Sequence, residues 1–183
     1  MTGMTLMGRT LRLLHLLAAG LMLSNVALGY GVAYGYVTAA QHIPWGFFSG
    51  LVVALAHAMT MFYFAGLGVS MREEAAGRKW CLPYLDSAAK LRRSLALPLG
   101  LALVSLMAAI ILGGGSHTRT LPFWPHHAIS IVALALNLFA NWRSLVFIGA
   151  NEALIRRMQE ALTERSGHGG GAIGHQAPAT PDS

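Results

Sequence analysis

The stretch Gly46-Phe47-Phe48-Ser49-Gly50-Leu51-Val52-Val53-Ala54-Leu55-Ala56-His57-Ala58-Met59-Thr60-Met61-Phe62-Tyr63-Phe64-Ala65-Gly66-Leu67-Gly68-Val69-Ser70 contains no charged residue. As a helix rising ~1.5 Å per residue it is long enough to cross a hydrocarbon core of about 30 Å. Outward from it, three more charge-poor blocks cover residues 13–37, 94–113 and 126–148. The chain is 55% hydrophobic and only 11% charged, where a soluble domain carries about a quarter charged residues. The expected fold is an all-α integral membrane protein: a four-transmembrane-helix bundle within residues 1–165. A helical extension of the fourth span is expected over 151–165, a connecting loop over 71–93, and a disordered Gly-, His- and Pro-rich tail over 166–183. No internal repeat is expected.

The charges give an orientation. Of the 13 Lys and Arg residues, 12 fall on the side of the termini and only Arg119 on the other. All seven Asp and Glu residues share the basic side. By the positive-inside rule that side is expected to be cytoplasmic, and the Ala-, Leu-, Gly- and Arg-rich composition points to a bacterial inner membrane. Trp45 and Trp124 are expected at the outer interface, Trp80 and Trp142 near the inner one. A cleaved signal peptide is the alternative for the first span, with Arg9 and Arg12 ahead of an apolar run and Ala27-Leu28-Gly29 as a mimic of a cleavage site. The apolar stretch continues through Tyr30, Val32 and Tyr36, which favours a retained helix. The net charge of +6 comes from residues flanking apolar spans, so a nucleic-acid partner is not expected. The single cysteine, Cys81, forms no internal disulfide and no CxxC pair, which argues against thiol–quinone chemistry.

Lipid does not drive helices together by burial of apolar area, so small residues that allow close approach gain importance. Three ridges stand out: Gly46, Gly50, Ala54 and Ala58; Ala27, Gly31 and Gly35; and Ser130, Asn137 and Ser144. At membrane depth the polar candidates are Asn25, His57, Thr60, Ser105, Asn137 and Asn141. Counted from span starts at Gly46 and His126, His57 and Asn137 reach a similar depth, and Asn25 lies mid-span. A polar midplane layer of Asn25, His57, Thr60, Asn137 and Asn141 is therefore expected. Interhelical hydrogen bonding is the plainer role for it, and a ligand, proton or cofactor site the sharper one.

His57 raises the question of haem b, with Gly50 and Ala54 leaving room for the ring. The second ligand is the difficulty. His126 and His127 are expected about 15 Å outward of His57, and His15 is expected near the inner boundary. Cofactors are therefore not expected, haem b being the alternative. A metal site is the sharper reading of His42, His117, His126 and His127, since imidazole suits Zn or Cu. Interfacial histidines bonded to water or headgroups are the plainer one. There is no carboxylate pair, phosphate loop, HExxH or nucleophile elbow. The functional expectation is a non-catalytic accessory or structural subunit, with other membrane subunits or further copies of the chain as partners. The alternatives are a haem b electron-transfer subunit using His57, or a small-solute transporter or channel lined by Asn25, His57, Asn137 and Asn141.

Overall fold

A computed structural model describes residues 6–169 of the chain. It consists of α1 (Leu6–Ala33), α2 (Ala39–Glu74), a 3-10 turn over Lys79–Cys81, α3 (Leu82–His117) and α4 (Phe123–Gly169). Among the described residues there is no strand. All four helices are long and apolar enough to cross a membrane. Helices suit that setting because each satisfies its backbone hydrogen bonds internally. The helices run up and down in the ring α1–α2–α3–α4, closed by contacts between α1 and α4. The α1–α2 and α3–α4 turns form one end of the bundle, the hairpin end. The start of α1, the end of α4 and the α2–α3 connection form the other, the termini end.

The helices outrun the apolar blocks that define them in the sequence, except at the end of α1, which stops at Ala33, four residues short of the expected 13–37 span, where the chain turns at Gly35. α2 starts at Ala39, seven residues before Gly46, where the Gln41 side-chain oxygen accepts from the Thr38 backbone N–H at 3.0 Å. Pro44 is tolerated inside it. The segment 71–93, expected as a loop, is mostly helix: α2 continues to Glu74, and α3 begins at Leu82 with a proline in its first turn. Polar helix ends need no apolar face once they project past a bundle, which is why hydropathy marks them as loop. The extension over 151–165 is continuous with α4. Of the expected tail, residues 166–169 belong to α4, and residues 170–183 lie outside the described residues.

Buried positions follow a heptad-like pattern, as left-handed bundle packing requires. On α1 they include Gly8, Leu11, His15, Ala18 and Met22; on α3, Leu95, Leu99, Ala102 and Leu106. The four-residue ridges drift off this face. Ala54 and Ala58 are half-buried and Ala27 is exposed, whereas Gly50, Val53, His57, Thr60 and Phe64 form the buried face of α2. Two of the glycines serve the first turn instead. Gly35 adopts φ +80°, and a Cβ on Gly31 would lie 2.8 Å from Val37 Cγ2.

The two hairpins are built alike. The Gly31 carbonyl accepts from Tyr36 N–H at 2.8 Å and Val37 N–H at 3.1 Å; the Gly115 carbonyl accepts from Thr120 N–H at 3.0 Å and Leu121 N–H at 3.1 Å. The left-handed residue is Gly35 in one turn and Arg119 in the other. A Cβ on Gly115 would lie 2.6 Å from Leu121 Cδ1, matching Gly31 against Val37. One shift of 84 positions, Gly31 to Gly115, superimposes all of these features. The same shift takes Gly29, where a Cβ would lie 3.4 Å from His42 Cε1, to Gly113, where one would lie 2.9 Å from His126 Cε1. It also carries every buried residue of α3 onto a buried residue of α1: Leu95 onto Leu11, Leu99 onto His15, Ala102 onto Ala18, Ser105 onto Leu21, Leu106 onto Met22. On α4, Ala133, Asn137, Ala140, Asn141, Ser144 and Ile148 fall on Ser49, Val53, Ala56, His57, Thr60 and Phe64, all buried. The chain is a tandem repeat of a helical hairpin in its turn geometry and burial, which corrects the expectation of no internal repeat. The repeat is one of burial pattern and turn geometry, and most equivalent side chains differ.

Candidate functional site

The polar residues of the core gather around two histidines. His15 (α1), His57 and Thr60 (α2) and Asn137 (α4) are each 0% exposed, and Asn141 is 3% exposed. The His15 and His57 rings face one another with centroids 5.8 Å apart. His15, His57 and Asn141 each lie eighteen residues from the hairpin end of their helices, at Ala33, Ala39 and Phe123. That is about 27 Å of helix in each case.

The hydrogen bonds fix most protons. Asn137 Nδ2 donates to the Ala102 carbonyl at 3.0 Å and to the Ala133 carbonyl at 2.8 Å. Both its N–H groups are thus used, and its oxygen accepts from His57 Nε2–H at 3.0 Å. The Thr60 hydroxyl donates to the Ala56 carbonyl at 2.8 Å, so it accepts from His15 Nε2–H at 2.7 Å. The Asn141 carboxamide stands 2.7 Å from His15 Nδ1. Neutral His15 needs a donor there, and Asn141 supplies one when its amide N–H is turned to the ring; the other orientation leaves Asn141 Nδ2 unpaired. The network joins α1 to α2 and α4 through His15, α2 to α4 through His57, and α4 to α3 through Asn137. His57 Nδ1 and the Ser144 hydroxyl are buried without a protein partner among the described residues.

Of the residues expected in this layer, His57, Thr60, Asn137 and Asn141 come together, and Asn25 does not. Asn25 lies toward the hairpin end, with its oxygen 3.1 Å from where a Cβ on Gly46 would sit. His15, expected at a different level, is instead the centre of the network. The depth count began too late on α2 and α4, at Gly46 and His126 rather than Ala39 and Phe123. Counting from true helix ends would have matched His15 with His57. The layer is also displaced from the middle of the charge-free runs on α1 and α4. His15 is three residues from Arg12, and Asn141 is two from Arg143. Trp142, expected near an inner interface, is at the level of the layer and 57% exposed. Gly50, expected to leave room for a haem ring, is packed: a Cβ there would be 3.2 Å from Ile110 Cδ1.

The histidines of the hairpin end make separate contacts. His42 rests on Gly29, and His126 rests on Gly113 with Nδ1 3.1 Å from the Ala109 carbonyl. His127 meets the Tyr30 hydroxyl at 3.2 Å and stacks on Phe123. His117 closes α3. Among the described residues no three of His, Cys, Asp and Glu converge on one point.

Toward the termini the bundle is tied electrostatically. Arg12 (α1) pairs with Glu152 (α4) at 3.0 Å. The Arg165 guanidinium lies 4.4 Å from the Trp80 ring centroid, joining the end of α4 to the α2–α3 connection. Cys81 is buried in that connection. Comparison with protein-family models, curated proteins and solved structures finds no match.

Proposed function

We propose that this chain is a non-catalytic structural subunit of a larger membrane assembly, embedded in a bacterial inner membrane with both termini cytoplasmic. The supporting observation is the interhelical hydrogen bonding of the polar layer. His15, His57, Thr60 and Asn137 are fully buried, and their side chains bond to neighbouring helices. Such bonds hold helices in register where apolar burial cannot. The partners of this reading are other membrane subunits or a second copy of the chain, and the orientation rests on the basic residues of the termini end.

Co-purification in mild detergent, with mass spectrometry and a visible spectrum of the same sample, tests this reading. The expected result is a stoichiometric membrane partner, or a homo-oligomer, without a Soret band. A monodisperse monomer would overturn it. A Soret band abolished by His57→Ala would replace it with haem b electron transfer, a reading favoured only by the His15 ring standing opposite His57. Liposome solute flux lost in Asn137→Leu would replace it with transport.

A further inference from the structure

The hairpin repeat contains a charge imbalance. At the α1–α4 interface Glu152 meets Arg12. The shift of 84 places Gly68 of α2 at the position of Glu152, Arg72 at that of Arg156, and Arg92 of α3 at that of Gly8. At the α2–α3 interface the carboxylate is therefore replaced by a glycine, and the small residue by an arginine. Arg92 lies across the opening, with Nη1 3.6 Å from where a Cβ on Gly68 would sit. Arg72 and Arg92 line a cleft of about 210 Å³ whose walls include Phe64, Gly68 and Leu85. Asp86 also lines the cleft, but neither arginine has a carboxylate oxygen within ion-pair distance among the described residues. The cleft stands where charge begins: Arg72 is the first charged residue after the apolar run of α2, and Arg92 and Arg93 are the last before that of α3. Beside it Ala65, Val69 and Ala96 are exposed.

We infer that this cleft binds the phosphate of an anionic phospholipid headgroup, with its acyl chains along the apolar flank of α2 and α3. Two guanidiniums present planar donor forks suited to phosphate oxygens. Basic pockets between membrane helices on the cytoplasmic side are suited to anionic headgroups. At the repeat-related interface Glu152 supplies the anion from within the chain; here a lipid supplies it. The inference rests on the membrane reading. A chain that fractionates as soluble defeats that reading, while a membrane-extracted chain indifferent to headgroup charge defeats this inference alone.

The test is native mass spectrometry of the full chain in mild detergent, titrated with phosphatidylglycerol, with phosphatidylcholine of the same acyl chains, and with inorganic phosphate. Phosphatidylglycerol is expected to bind about tenfold or more tightly than phosphatidylcholine. Arg72→Gln with Arg92→Gln should remove that preference, and Gly68→Leu should weaken it by filling the notch with both charges kept. Arg156→Gln with Arg157→Gln should leave it unchanged. Equal binding of the two lipids by the native chain overturns the proposal without recourse to any variant. So does an equal loss in the Arg156 and Arg157 control, or displacement of the lipid by matched inorganic phosphate, which would make this a free-anion site.

Discussion

Asn137 is the residue on which the polar layer turns, because its side chain bonds to both α2 and α3. Asn137→Leu strands His57 Nε2–H and removes a donor from the Ala102 carbonyl. Leaving a buried polar group unpaired costs about 1–3 kcal/mol. Unfolding of the purified protein in detergent should show a loss of that order. His57→Leu should also destabilise, and the double variant should lose less than the sum of the two, with a coupling near 0.6 kcal/mol and no more than about 2. Strict additivity would mean that the His57–Asn137 bond does not hold the helices together. Residue types alone picked out His57, Thr60, Asn137 and Asn141, because amides, hydroxyls and imidazoles in an apolar run must find partners. They could not pick out His15 at this level, because depth was counted from the edges of apolar blocks and the helices begin several residues earlier. Nor could they exclude Asn25, since mid-span position does not give helix direction or stagger.

At the scale of the element, the glycines divide by what they face rather than by their spacing. Gly31 and Gly115 close the two hairpin turns, and a Cβ on either would collide with the branched residue six positions on. Val37 is stiff about χ1 and cannot swing away cheaply. Gly20 lies inside α1 with nothing within 4 Å. Gly31→Ala should therefore destabilise by about 1–3 kcal/mol, the usual range for overpacking. Gly20→Ala should be neutral or stabilising by up to ~1 kcal/mol, the gain from replacing an open helical glycine. Thermal melts in detergent separate the two, and a Gly31→Ala variant as stable as Gly20→Ala would refute the turn geometry. The sequence pattern indicates four helices and their approximate centres through hydropathy. It does not reveal the helical α2–α3 connection, because polar helix ends and polar loops have the same composition. Four-residue small-residue ridges mark possible close approach, but 3.5-residue packing selects which of those residues reach a neighbour.

The molecule as a whole is two hairpins in one orientation. A two-helix unit returns the chain to the side where it started, so two equivalent units run the same way, related by an axis along the bundle. The topology signal repeats with them: the shift of 84 carries Arg9 onto Arg93 and Arg72 onto Arg156. Each hairpin is thus flanked by basic residues at its termini end, and a single reversal of one hairpin would oppose two such signals at once. Identities alone hide this repeat, since turn geometry and burial can match where side chains differ. His57 and Asn141 occupy equivalent places, as do His15 and Leu99, so the polar layer is an asymmetric filling of a symmetric frame. The orientation can be read by cysteine accessibility. Tyr36→Cys and Thr120→Cys place thiols in the two hairpin turns, and Ala76→Cys places one in the α2–α3 connection; all three positions are exposed. The native Cys81 is buried at 0% exposure and should stay silent. A membrane-impermeant maleimide applied to intact cells stripped of their outer membrane should label the two turn positions alike and leave Ala76→Cys unlabelled until the membrane is permeabilised. Labelling of Ala76→Cys without permeabilisation would reverse the orientation. Unlike labelling of Tyr36→Cys and Thr120→Cys would break the two-hairpin topology, because in a repeat of even helix number both turns must emerge on the same side.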